Sequence, residues 1–209
     1  MHRELQPQSL AEVVGQPVVR HLQRLVAKPT SSCWLLEGPP GTGKTSAAHA
    51  LASELGCHDE FSGKWAFPCT ELGVQETMKL FRRTLRLRFG SSSGFNILIM
   101  EELEWISPQC QRFLKDALDP LTKLPKNLIV VATSNGAQGL DKALLQRFRL
   151  LAFSNGDTFR EACQERLRQS WVNLYGDEPP AMESWGETSE GFSMRVAINS
   201  FSQAVPCLS

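Results

Sequence analysis

The residues Gly38-Pro39-Pro40-Gly41-Thr42-Gly43-Lys44-Thr45 constrain this chain more than any other stretch of it. They fill every fixed position of the pattern GxxxxGK[ST]. They follow the apolar run Cys33-Trp34-Leu35-Leu36-Glu37 and open a helix-forming stretch that runs from Thr45 to Leu55 and is closed by Gly56. Strand, glycine-rich turn and helix in that order let successive backbone N–H groups curl around an anion, to which the helix presents its positive end. Lys44 supplies a mobile cation for the outer phosphates, and Thr45 a hydroxyl for the magnesium ion that bridges them. A glycine-rich turn with an exposed lysine would not need all of these positions. The chain is expected to bind a nucleoside triphosphate.

The rest of the pattern supplies the frame for such a loop. Phe95-Asn96-Ile97-Leu98-Ile99-Met100 and Leu128-Ile129-Val130-Val131-Ala132 are short apolar runs of the kind buried in a parallel sheet. Phe67 to Thr70 and Leu150 to Phe153 are shorter strand candidates. Helical spacing occupies Leu10 to Ala27 with an interruption at Gly15-Gln16-Pro17, Val74 to about Arg88, Gln109 to Leu118 and Lys142 to Gln146. Strands alternating with helices imply an α/β core, a parallel sheet sandwiched by helices. Beyond Asn155-Gly156 the strand signal stops, and Thr158 to Leu174 and Phe192 to Ala204 read as helices. The expected organisation is a nucleotide-binding core over residues 1–155 and a small all-helical lid over 156–209.

Composition narrows the setting. An apolar fraction of 42% can fill an interior, and 22 basic residues balance 22 acidic ones, which excludes a globally basic nucleic-acid coat. No run approaches the roughly 18 apolar residues of a membrane span, and MHRELQPQSL lacks the apolar core of a secretion signal. A soluble, cytoplasmic protein with no membrane partner is expected. The six cysteines are scattered without metal-ligand spacing; Cys57-His58 with Cys69 is the one grouping that invites a zinc reading.

Glu101 and Glu102 close the Ile97 run, so their carboxylates would stand at the C-terminal end of a strand beside the phosphates. One carboxylate can hold magnesium and the next can deprotonate an attacking water. The competing reading is a pair of exposed acids, joined by Glu104, that opens a helix.

With these residues in place, the chain resembles the AAA+ ATPase superfamily, and within it the clamp-loader small subunits, as an ordered series along nearly its whole length. Leu10 to Gln16 (LAEVVGQ) is similar to the adenine-pocket segment, which implies a base contact at Val14. GPPGTGKT stands as the Walker A loop, and ILIMEE as the Walker B strand, implying magnesium on Thr45 and Glu101 and water activation by Glu102. Ser107 to Leu118 resembles the helix after Walker B. Ala132-Thr133-Ser134-Asn135 fits the first sensor, so Asn135 would touch the γ-phosphate or the water. Leu140 to Phe148 resembles the segment ending in an arginine finger. That implies Arg147, with Arg149 in reserve, acting on a neighbouring subunit's site. Gly191-Phe192-Ser193-Met194-Arg195 resembles the second sensor, placing Arg195 on the nucleotide of its own subunit.

The resemblance thus implies ATP and magnesium as cofactors, and homo- or hetero-oligomeric AAA+ subunits with DNA or a DNA-bound protein as partners. The implied activity is ATP hydrolysis at subunit interfaces to load or remodel a nucleic-acid complex. Glu101 departs from the family's aspartate, which motivates the alternative of a nucleotide-binding scaffold with little hydrolysis. Glu4 to Pro7 (ELQP) replaces the Tyr-Arg-Pro stretch of clamp loaders, and the given sequence reaches Ser209 without their collar domain. Assembly is then expected to rest on AAA+ contacts alone or on partner subunits, or the chain is a fragment. Arg82, Arg83, Arg86 and Arg88 could neutralise DNA phosphates, or form a solvated face or subunit contact. A third reading is a remodeller of protein substrates, although Glu71 to Val74 carries no aromatic pore residue.

Overall fold

The computed structural model describes residues 5–71, 73–86, 91–119, 124–180 and 182–204. Five strands form one parallel sheet: β1 (Ser32–Glu37), β2 (Lys64–Pro68), β3 (Asn96–Glu101), β4 (Leu128–Ser134) and β5 (Arg149–Ala152), in the order β2-β3-β4-β1-β5. The three central strands are buried on both faces, which is why their sequences are continuous apolar runs rather than alternating ones. Period-two geometry sends Leu36, Ile97, Ile99, Ile129 and Val131 to one face, against α1 (Val19–Ala27) and α2 (Lys44–Glu54). Leu35, Leu98, Met100, Val130 and Ala132 go to the other, against α3 (Val74–Arg86), α4 (Pro108–Ala117) and α5 (Lys142–Leu145). The sandwich expected from the sequence is the one observed.

Strand order places the site. The connection leaving β1 runs toward β2 at one edge, whereas that leaving β4 passes β1 to reach β5 at the other. The two diverge between β1 and β4, so a crevice opens outside their C-terminal ends.

After β5 the chain builds a separate apolar cluster from α6 (Asp157–Tyr175) and α7 (Met194–Ala204). Trp171 and Trp185 both pack edge-on against Phe201, with centroids 5.3 and 5.7 Å away. This region is mainly helical, as expected, but it also contains a short antiparallel pair, β6 (Glu187–Thr188) and β7 (Gly191–Phe192). Two-residue strands are too short for any alternation to register, and the turn is closed by the Thr188 hydroxyl donating to the Gly191 carbonyl. β2 also starts earlier than expected, at Lys64, because Trp65 is its buried core residue; Cys69–Glu71 is a 3-10 turn.

Five cysteines are buried free thiols, and among the described residues no cluster of His, Cys, Asp and Glu comes together to hold a metal. No described helix is long and apolar enough to cross a membrane. Glu4, Leu72, Arg88 and the side chains of Glu71 and Arg86 lie outside the described residues. Arg82 and Arg83 are exposed on α3, where Arg83 pairs with Glu60 at 3.4 Å.

Candidate nucleotide site

The turn between β1 and α2 is tied to the sheet at its start, where the Gly38 N–H donates to the Ser134 carbonyl at 3.2 Å. At its end Gly43, at φ 91°, caps α2 in a left-handed conformation. Thr42 bonds back to the Pro39 carbonyl at 2.8 Å. Lys44 is buried, and its ammonium donates to the carbonyls of Gly38 and Pro39 at 2.6 and 2.7 Å and to Asn135 Oδ1 at 3.1 Å. A buried cation is thus held by three neutral acceptors. Burial pulls its pKa down to about 8; the Glu104 carboxylate opposes that fall and the Arg195 charge adds to it.

In front of the loop lies a cavity of about 480 Å³, within the roughly 300–1,000 Å³ typical of small-molecule sites. Its lining divides chemically. Pro40 to Ser46, Glu102, Thr133, Ser134 and Asn135 make a polar, amide-rich part, while Leu5, Pro7, Val13, Val14, Phe159 and Ile198 make an apolar part suited to a flat base. Arg195, exposed at the start of α7, also lines it. The glycine cradle fits a phosphate chain: at Gly41, φ 76°, an added Cβ would lie 2.0 Å from Ser193 Oγ, so only glycine lets the loop come this close to α7. The Met194 N–H then donates to the Gly41 carbonyl at 3.1 Å, joining loop and helix directly.

Val14, Pro40 to Thr45, Glu102, Asn135 and Arg195 therefore share one cavity. Gly38 and Pro39 serve it indirectly, through the carbonyls that hold Lys44. Glu102 follows β3 at φ 57°, an uncommon backbone position for any residue but glycine, and its N–H donates to Thr133 Oγ1 at 3.3 Å. Strain of this kind collects where a side chain must be aimed.

Glu101 and Arg147 are not in the lining. Glu101 accepts a hydrogen bond from His49 Nε2 at 3.0 Å, and this bond holds its carboxyl below the usual range against the opposing effect of burial. Arg147 sits in the turn after α5. Its Nε donates to the Lys115 carbonyl of α4 at 3.3 Å, and its guanidinium pairs with Asp119 at 3.3 Å. Arg149 begins β5 and lies over the Trp34 ring, 5.4 Å from its centroid.

Three residues to which the sequence analysis assigns no site role organise the site. Glu104 Oε1 accepts both the backbone N–H and the side-chain amide of Asn135, at 3.1 and 2.9 Å, and so fixes that amide. His49 holds Glu101. Gln16, buried, donates to the carbonyls of Thr42 and Ser154 at 3.2 and 2.7 Å and accepts from the Ser154 N–H at 3.1 Å. It thereby binds the first segment to the loop and to the exit of β5. Gln16 ends the LAEVVGQ stretch, so proximity to a motif was its only signal.

Residues 34–155 match the model of the ATPase family associated with various cellular activities, which is more than half of the chain. The chain belongs to the AAA family. It is similar to the replication factor C small subunit of Aeropyrum pernix, 29% identical over 204 residues that span 92% of this chain and 58% of the relative. Subunit 3 of replication factor C from Saccharomyces cerevisiae is 30% identical over 91% of this chain and 55% of its own length. The chain thus spans less than two thirds of these relatives. Among solved structures, the RuvB Holliday junction branch migration motor of Thermotoga maritima shares the fold, with a TM-score of 0.72 at 22% identity over 95% of this chain and 64% of that one.

Proposed function

We propose that this AAA protein binds ATP in the cavity in front of Lys44 and hydrolyses it at an interface between subunits, as an ATPase of clamp-loader type. The observation that carries this reading is the convergence of the glycine cradle, Lys44, Glu102, Asn135 and Arg195 on one cavity with an apolar base-sized part. Residues 1–155 would form the nucleotide-binding core and 156–209 the lid. The direct bond from Met194 to Gly41 makes the core–lid angle sensitive to what the loop holds.

In this reading the amides of Gly41 to Thr45 and the Lys44 ammonium take the phosphates. Magnesium, held by the Thr45 hydroxyl and an acidic side chain at the end of β3, would neutralise charge on the outer phosphates when bound. Glu102 accepts a proton from the attacking water while Asn135, steadied by Glu104, orients it. Arg195 approaches the phosphates from the lid, and Arg147 reaches the site of an adjoining AAA subunit. The names of the relatives favour DNA, or a protein bound to it, as the object of the cycle.

Two observations favour a second reading, a scaffold that binds ATP and turns it over little: Glu101 is engaged by His49 and Arg147 by its own α4. Turnover measured against protein concentration separates the two. A subunit-interface ATPase gains specific activity as it assembles, and Arg147→Ala is expected to lower that activity roughly tenfold without weakening nucleotide binding. The effect falls short of a fully free arginine finger because the guanidinium must first leave Asp119. Flat, near-zero turnover with intact ATP binding would select the scaffold.

Lys44 gives an independent check. Its pKa of about 8 in the free protein must rise when a polyanion binds, because an adjacent negative charge favours the protonated amine. Binding is therefore expected to take up protons near pH 8, and affinity to fall as pH rises above that point. Calorimetry in two buffers of different ionisation enthalpy reads the proton uptake directly. Proton release on binding would contradict the assignment.

A further inference from the structure

The residue that departs from the family pattern also has an unforeseen partner. β3 sends Ile97 and Ile99 to the α2 face of the sheet, and period-two geometry sends Glu101 there as well. α2 presents Thr45 and His49, four residues apart, on the same stripe. The Glu101 carboxylate thus lies on the α2 side of the sheet, where it is bonded at 3.0 Å to His49, one helical turn beyond Thr45. The extra methylene of glutamate over aspartate gives the reach.

We propose that His49 is a positioning residue that sets the site's magnesium requirement by holding the Glu101 carboxylate one turn of α2 away from Thr45. The inference rests on the ATP-binding reading above and deepens it. With His49 in place, an ion at the Thr45 hydroxyl gains Glu101 only by displacing the histidine. The two side chains are 35% and 28% exposed, so the bond is open to that competition and is not sealed by packing. Among the described residues only Oε1 of Glu101 is hydrogen-bonded, which leaves its second oxygen able to begin the exchange. His49 does not itself line the cavity, and among the described residues its side chain is hydrogen-bonded to Glu101.

The test measures binding, so it does not depend on turnover. The affinity of the protein for ADP is determined by calorimetry at free magnesium from none to several millimolar, giving the concentration at which affinity reaches half its magnesium-dependent gain. His49→Ala is expected to lower that concentration roughly three- to tenfold, the scale of one charge-assisted bond at a half-exposed site, with magnesium-free affinity unchanged. His49→Gln, which retains a donor able to reach Glu101, is expected to restore the wild-type value. A merely structural histidine would instead change the unfolding temperature and leave the magnesium midpoint where it was. Should His49→Ala fold poorly, Glu101→Asp, too short to reach His49, is expected to give the same lowering. An unchanged or raised midpoint in the folded variant overturns the role of His49. Failure of the wild-type chain to take up ADP under any condition overturns the nucleotide reading itself.

Discussion

Glu102→Gln is expected to lower ATP turnover by about 100- to 1,000-fold while ATP affinity changes by less than about threefold. The substitution keeps the shape and the hydrogen-bonding reach of the side chain but removes its ability to accept a proton from water. The backbone argues that this group is aimed and not merely exposed. Residue 102 holds a left-handed conformation at the end of a buried strand, stabilised by the bond from its N–H to Thr133, and its side chain lines the cavity with Lys44 and Asn135. In the proposed reading the nucleotide is held by the loop and Lys44, so binding survives the change. Steady-state phosphate release and calorimetry on the same preparation read the two effects separately. If wild type and variant turn over at the same near-zero rate, Glu102 is not a base and the scaffold reading stands.

Gly38→Ala is expected to destabilise the fold by at least about 3 kcal/mol and to lower the unfolding midpoint by roughly 6–12 °C. Gly38 sits at φ 155°, and a Cβ built there would lie 2.2 Å from the Phe153 carbonyl oxygen. That oxygen is backbone, so no side-chain rotation relieves the clash. β1 would have to part from the segment that follows β5, where the Phe153 N–H donates to the Glu37 carbonyl at 2.7 Å. The shift would also displace the Gly38 carbonyl from the Lys44 ammonium, so ATP binding should fall with stability. Gly136→Ala is the control: no atom lies within 4 Å of its added Cβ, and its effect should stay within about 0.5 kcal/mol. Thermal denaturation of the two variants side by side measures the contrast, and a Gly38→Ala protein as stable as the control would contradict the packing described.

The parts of the fold legible in the sequence are those whose physics is local. The apolar runs of β1, β3 and β4 announce strands buried on both faces, and the glycines before Lys44 announce an anion cradle. In each case the conformational preference belongs to consecutive residues. β2 was legible only in part, since Lys64, Ala66 and Pro68 interrupt its apolar pattern and only the pairing with β3 defines its start. The β6–β7 pair was invisible because strands of two residues carry no period.

Site residues divide the same way. The segment from Gly38 to Thr45 could be placed without a structure, because a phosphate loop is made from its own backbone. Glu101 and Arg147 could be named from their place in the chain, yet their partners could not. His49 lies 52 residues from Glu101, and Lys115 lies 32 from Arg147. Glu104 reached Asn135 across 31 residues, which made a surface-like acid into the group that fixes the Asn135 amide.

By itself, then, the chain of amino acids dictated a parallel α/β sandwich, the glycine-rich loop before Lys44 and the acids that follow a central strand, since each is written in neighbouring residues and in their period. Tertiary structure alone decided which way those acids and arginines point and what holds them. Sheet order and helix register determine which distant side chains come within bonding distance, and no local pattern encodes that choice.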